Sequence, residues 1–545
     1  MKRGTTAAQR AWITDIEGLL PTVDRLSHAI KEGVALPSAY LARVEDRPAM
    51  EMLSDRPAAF RSYVEGMRLR LVEGDPEAAR DEMRVATGRD PDFALAWNEL
   101  SLAAFSQGDA ESAIEAKQRV IELDYRLPRW KYLSLLQGYY LMTGQSDAAL
   151  AVAEERVERY SDDLHAREQL ANLYANAGRT EAATETLESL FESDPDRLDY
   201  LLRIATIQAA AQNPEAAREA YERYRAVGGD SREGIQEYAE FLRSHGDLTE
   251  AEALYRDALL LSPEDALLRI GVAGVLTTLG RHEDAVSELN GALESSVSAE
   301  QRSAVDSARA ELYLSLGRLR AAREAEQAAR LARAEFLDPL NRSLSALQGM
   351  HRVAPSIGLT ESLRQVEELS ASLPGALRPL ASIGRWKTFA ALEMGDSLVA
   401  ILPEVEDAVA RIGMDEILAP DLMLGRADGL RMRGECGAAR DVYESALEAG
   451  LGVETTSAWI GLSMARLECG DAEAALAAAD SALALTPGSP GGALVRAEAL
   501  AESGREAEAL DALAPALSAW NRADPGFGLA ERARRLETEL TDAAG

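Results

Sequence analysis

"EGDPEAARDEMRVATGRDPD", residues 73–92, is answered by "QGDAESAIEAKQRVIELDYR", residues 107–126. Both open on Gly-Asp after one residue and run through a short Ala-rich stretch, and their glycines stand 34 residues apart. Aligned on that glycine, the series runs Gly74, Gly108, Gly144, Gly178, Gln212, Gly246, Gly280 and Gly317, then resumes after an irregular stretch at Gly395, Gly434, Gly470 and Gly504. Repetition at a near-constant period outweighs any local motif, because each unit must stack on its neighbours to bury its apolar face.

The residues around each anchor say what the unit is. Glycine tolerates the left-handed conformation that caps a helix, and the Asp, Arg or Asn that follows suits the start of another. Five residues after every anchor stands an alanine, from Ala79, Ala113 and Ala149 to Ala400, Ala439, Ala475 and Ala509. A methyl at that point lets the second helix press closely on the first, where a larger side chain would overpack the contact. Ahead of the anchors, large residues recur on one helical face, as in Ile235, Tyr238 and Leu242 before Gly246. Pro91, Pro195, Pro263 and Pro487 fall where one unit hands over to the next and a helix must stop.

Composition bounds what such a chain can do. Its 545 residues are 47% hydrophobic and 27% charged, a mixture that supports a sizeable core, and strand signals are nearly absent. A formal charge of −33 with no local basic stripe repels phosphate backbones and anionic lipid surfaces, so nucleic acid is not an expected partner. Neither a signal-peptide pattern nor a run of about 18 apolar residues occurs, so direct membrane insertion is not expected and the cytoplasm is the default setting. Cys436 and Cys469 are too few for a disulfide framework or a zinc site. They are expected to be small buried hydrophobes, although both lie beside turns of neighbouring repeats, where a bridge is conceivable.

With its aromatic or Leu, Leu, small residue, Tyr, Gly, Ala, aromatic, Ala, Pro order over 34 positions, the pattern resembles the tetratricopeptide repeat. The resemblance implies an all-α, right-handed solenoid of about twelve helix-turn-helix repeats. Capping helices are expected at 1–58, an N-terminal array of about eight repeats at 59–330 and a C-terminal array of about four at 381–522. Residues 331–380 read as a degenerate repeat or a hinge, and 523–545 as a cap helix. The variant "RLPRWKYLSLLQGYY", residues 126–140, is similar to the repeat region that bacterial signalling proteins carry behind a Ser/Thr kinase, nucleotide cyclase or winged-helix output domain.

Enzymatic constellations are missing from the sequence. None of Lys2, Lys31, Lys117, Lys131 and Lys387 follows a glycine in a phosphate-binding loop, the five histidines show no metal-ligand spacing, and no serine sits in a nucleophile elbow. No cofactor is expected, and an enzyme would need a hidden site in 331–380. The function implied by the resemblance is a non-enzymatic scaffold that holds a protein or peptide in a concave groove. The rival is a free-standing sensor or regulatory subunit of a kinase, cyclase or transcription-factor system; oligomeric state stays open.

By the family's geometry the groove is lined thirteen, ten, six and three residues before each anchor. Ahead of Gly178 this selects His165, Glu168 and Asn172, with Asn176 one step past the last position; ahead of Gly246 it selects Gln236, Glu240 and Arg243. Arg68, Asn98 and Lys131 occupy the same line upstream. Amide and charged side chains there could hydrogen-bond a peptide backbone. The family's carboxylate clamp is not expected, since at its positions Val64, Arg68, Glu99, Lys131 and Leu135 only Lys131 agrees in type.

Overall fold

The computed structural model describes residues 24–25, 52–107, 109–411, 415–449 and 455–544. Most of the expected capping segment 1–58 therefore lies outside the described residues. The chain divides into two compact units, Met1–Gly229 and Asp230–Gly545.

In unit 1 the helices are α1 (Pro57–Arg68), α2 (Pro76–Arg89), α3 (Ala94–Ser106), α4 (Ala110–Glu122), α5 (Arg129–Met142), α6 (Ser146–Arg159), α7 (Leu164–Asn176), α8 (Thr180–Ser193), α9 (Asp199–Ala210) and α10 (Pro214–Ala226). Unit 2 continues with α11 (Arg232–Ser244), α12 (Leu248–Leu261), α13 (Ala266–Thr278), α14 (His282–Ser295), α15 (Ala299–Ser315), α16 (Leu319–Phe336), α17 (Pro339–Gln348) and α18 (Met350–Ser372). It ends with α19 (Ala381–Ala391), α20 (Gly395–Ala410), α21 (Asp415–Met432), α22 (Cys436–Ala449), α23 (Thr455–Glu468), α24 (Ala472–Leu485), α25 (Pro490–Glu502), α26 (Glu506–Ala519) and α27 (Gly528–Ala544). Odd-numbered helices open a pair and even-numbered ones close it, giving an all-α repeat solenoid.

Local chemistry explains the pairs. Gly74, Gly144, Gly178, Gly246, Gly280, Gly317, Gly434, Gly470 and Gly504 all have φ between 67° and 84°, the left-handed cap expected of the anchor, and Gln212 adopts it at φ 61°. Asp163, Ser231, Asp265 and Ser489 each accept a hydrogen bond from the first turn of the helix that opens the next pair. The alanines five residues after these anchors, among them Ala79, Ala149, Ala251, Ala322 and Ala509, are 0–1% exposed.

One anchor is out of register. Gly395 opens α20, and the left-handed residue of that pair is Glu393 at φ 53°. The buried position five residues on belongs to Leu398, while Ala400 faces solvent. The nearby glycine hid a cap built from a less usual residue.

Cys436 and Cys469 also correct the expectation. They form a disulfide with Cα atoms 5.6 Å apart, joining the turns of consecutive pairs, and Cys469 is exposed. Their separation of 33 residues is close to one repeat, so stacking brings the two turns together.

Unit 2 winds back on itself. The Trp520 indole N–H donates to the Ser315 carbonyl at 2.9 Å across 205 residues of sequence, and the Arg320 amide donates to the Asp524 carboxylate at 2.9 Å across 204. The Asp524 amide reaches the Gly317 carbonyl at 2.8 Å, and the Gly488 amide reaches the Thr278 carbonyl at 2.7 Å. Around Gly488 the two backbones approach so closely that a Cβ there would collide with the Gly280 nitrogen. An offset that recurs after about six repeat lengths means that successive windings of this unit touch edge to edge.

Candidate interaction surface

The line of odd-numbered helices carries the residues singled out from the sequence. In unit 1, α7 presents His165 and Asn176 exposed, with the His165 Nε2 2.9 Å from Gln169 Nε2. Glu168 is half-buried, accepts the Tyr200 hydroxyl from α9, and lies 3.4 Å from the Arg197 guanidinium. Burial first, then that carboxylate, pushes the Tyr200 phenol up to about 12. The Asn172 amide oxygen accepts from Arg203 of α9. Glu168 and Asn172 thus tie one first helix to the next, leaving His165 and Asn176 at the ends of the line.

In α11 of unit 2, Arg243 donates to Glu240 one turn back, with Nε 2.8 Å from Oε2, and Gln236 is half-buried. The Glu240 hydrogen bond raises the Arg243 pKa further above the ordinary arginine value. This pair is a partly exposed i,i+3 bridge of small energetic weight.

Upstream the residues differ in kind. Arg68 is exposed and held by Glu65 and Glu73. Lys131 of α5 lies with its Nζ 5.8 Å from the centre of the Trp130 ring. Asn98 does not line an open groove: it is 7% exposed and its amide oxygen accepts the Lys117 ammonium at 2.6 Å. Its position ten before the anchor faces α4 here, where a buried lysine needs an acceptor. Burial, reinforced by the Lys131 charge and opposed by Glu99, brings the Lys117 pKa down to about 8.

Sequence reasoning looked for polar side chains along this line and passed over large apolar ones. Val64, Leu71, Leu102, Phe105 and Leu141 occupy lining positions of the first three repeats and are 42–63% exposed. A signal was present: "ALAWNELSLAAFS", α3, and "RWKYLSLLQGYYLM", α5, carry large apolar residues on more than one face, which a half-exposed helix does not need.

The irregular stretch holds an ionic network. Glu326, fully buried, is met by Arg333 at 3.1 Å and Arg352 at 2.8 Å, and Arg352 also reaches Glu311 at 2.6 Å. Together with His351, Trp386, Lys387 and Asp421, these arginines line a cavity of about 310 Å³. Both arginines are engaged by carboxylates, which accounts for them structurally. Among the described residues no cluster of His, Cys, Asp and Glu could hold a metal ion, and no helix is long and apolar enough to cross a membrane.

Two tetratricopeptide-repeat family profiles match, one over residues 242–305 and the other over 68–124, 168–231 and 424–490. Among solved structures, a tetratricopeptide repeat protein from Parabacteroides merdae is 19% identical, covering 44% of this chain and 91% of its own, with a TM-score of 0.30. MamA from Desulfovibrio magneticus is 18% identical, covering 31% and 94% at a TM-score of 0.28. PilF from Pseudomonas aeruginosa is 18% identical, covering 38% and 92% at 0.30. No curated protein sequence matches the chain.

Proposed function

Because the chain is a tetratricopeptide-repeat protein, we propose that it is a non-enzymatic scaffold that binds a protein or peptide partner along its line of first helices. Proteins built of these repeats generally mediate protein–protein interactions. The observation that carries the reading is α7, where buried Ala166, Leu170, Ala171 and Leu173 anchor one face while His165, Asn172 and Asn176 stay exposed on the other. Such a helix offers amide donors and acceptors on a rigid support, which suits recognition of a peptide backbone. Within unit 2, Gln236 offers an amide on α11, beside the Glu240–Arg243 bridge. Nucleic acid is outside the proposal, since a chain of charge −33 repels it.

The test is a pull-down with the full chain as bait, followed by calorimetric titration of the recovered partner. Asn172→Ala with Asn176→Ala should weaken binding by about 1–3 kcal/mol, the scale of lost hydrogen bonds, while the melting temperature falls only slightly, since the Asn172–Arg203 bond that is lost lies at an exposed site. Unchanged affinity would remove α7 from the site. A cytoplasmic setting belongs to the proposal as well, and the Cys436–Cys469 bridge supplies its test. Structural disulfides persist mainly where thiols are not kept reduced, so a bridge found fully oxidised in cells would place the protein in an oxidising compartment.

A further inference from the structure

We infer that the ammonium of Lys117, lying beneath Gly138 on the line of first helices, is a subsite for the side-chain carboxylate of an Asp or Glu in the bound peptide. The inference rests on the reading above, that this line is where a partner binds, and names one chemical feature of that partner.

Lys117 is a buried cation without an anion of its own. It stands on α4, which packs against both α3 and α5. Its side chain is 5% exposed, and its hydrogen-bond acceptor among the described residues is the neutral Asn98 amide oxygen at 2.6 Å. An ammonium carries three donors, so two are left over. Arg156 and Arg333, the other cations buried to this degree among the described residues, each hold a carboxylate: Asp163 at 2.7 Å and Glu326 at 3.1 Å. Buried charges are ordinarily paired in this way because leaving water is costly.

The charges around Lys117 do not make up the difference. Glu99 acts on it from α3 but is committed elsewhere. Its carboxylate receives Arg70 at 2.7 Å and the Asn98 amide N–H at 3.3 Å, so Asn98 stands between it and the ammonium. The other charge felt at Lys117 is a second cation, Lys131 of α5, whose ammonium lies over Trp130 and meets no carboxylate among the described residues. Burial and Lys131 lower the Lys117 pKa against the pull of Glu99, as expected of an ammonium short of counter-charge. The arginines nearby are different: Arg68, Arg70 and Arg129 are held by Glu65, Glu73, Glu99 and Glu155 and offer no charge to a ligand.

Gly138 gives access. It stands six positions before its anchor Gly144, a lining position, and is half-buried. A Cβ at Gly138 would meet Lys117 Cε at 3.5 Å and Nζ at 3.6 Å, and nothing else within 4 Å outside its own stretch of helix. On this side the ammonium is therefore covered by a residue with no side chain. Ser134 and Leu141 flank the opening one turn away in either direction on the same face of α5, and Lys131 lies two turns back. Because the ammonium lies below the helix surface, a carboxylate on a side chain reaches it while the peptide backbone stays on the line above. Lys117 belongs to a second helix and is not among the clamp positions Val64, Arg68, Glu99, Lys131 and Leu135.

The experiment uses the full chain. Gly138→Asp places a carboxylate at the opening and Gly138→Asn its neutral isostere. The Asp form should melt at the higher temperature at neutral pH, because it alone neutralises Lys117; equal melts, or a lower one for Asp, would overturn the inference. Binding is read with a synthetic random library of C-terminally amidated peptides, about twelve residues long, passed over immobilised protein and identified by mass spectrometry. Peptides carrying Asp or Glu should be about threefold or more enriched on wild type over Lys117→Met and Gly138→Asp. Arg84→Met, which removes an exposed cation of α2, should keep the wild-type enrichment. Lys117→Met should melt no lower than wild type, so its lost binding is not lost folding. Equal enrichment on wild type and Lys117→Met, an equal loss in Arg84→Met, or a library from which wild type retains nothing would each overturn the inference. Acidic enrichment that appears only when the library carries free C-terminal carboxylates would assign the anion to a chain end and overturn it too. If the partner from the pull-down binds Lys117→Met as it binds wild type, this subsite falls while the scaffold reading stands.

Discussion

Replacing Lys117 by methionine should change the pH dependence of stability in a direction that the structure fixes. Lys117 is 5% exposed, its acceptor is the neutral amide of Asn98, and the nearby Lys131 charge adds to the cost of burial. A pKa held at about 8 instead of the ordinary 10.5 corresponds to roughly 3 kcal/mol of penalty on the charged form. The sign follows from proton counting. Between pH 8 and 10.5 the unfolded chain keeps the Lys117 proton while the folded chain has released it. The unfolded state then binds more protons, and wild-type stability rises with pH through that window. Almost the whole penalty is felt at pH 7.5 and somewhat under half of it at pH 9.5, a change of about 2 kcal/mol. The Tyr63 phenol, pushed up to about 12 by burial and Glu99 despite Arg70, affects stability chiefly from the ordinary tyrosine value of 10 upward, above the pH 7.5 to 9.5 range of the measurement. Urea denaturation of wild type and Lys117→Met at both pH values measures the difference, and subtraction cancels the titrations common to the two chains. Wild type should gain about 2 kcal/mol on the variant between pH 7.5 and 9.5. A difference that stays constant would mean that Lys117 is solvated, and the argument from its burial would fail.

Trp520→Ala removes a side chain that is 2% exposed and the hydrogen bond to Ser315. It should cost about 3–5 kcal/mol and raise hydrogen exchange at 317–320, while unchanged exchange there would show that the windings of unit 2 do not hold each other. Ala251→Leu puts a large side chain at a position with 0% exposure and should cost about 1–3 kcal/mol by overpacking; an unchanged melting midpoint would refute the close contact. Reducing Cys436–Cys469, or replacing both by serine, releases a loop of 33 residues. That should lower the stability of the surrounding repeats by about 3–4 kcal/mol on loop-entropy grounds, and a melt insensitive to reductant would contradict it.

The repeat, its helical pairs and the contact alanines were legible from residues alone, because each depends on neighbours within one unit. Gly178 caps a helix and Ala183 admits the next one wherever the chain as a whole travels. Even here a local rule misfired once, at Gly395, since a left-handed cap leaves no firm mark when Glu393 supplies it. The candidate surface was readable only in outline. Counting back from an anchor placed His165, Asn172 and Asn176 on an exposed face. The same count put Asn98 on that line, although Lys117 on the partner helix claims it for the interior. Leu102 and Phe105 were passed over, because which side of α3 is covered depends on where α4 packs. The contacts of Gly280 with Gly488, and of Ser315 with Trp520, lie further still from any local reading. They arise from small rotations added over about six repeats, and a sum of that kind is held in the stacked structure, not in any stretch of residues.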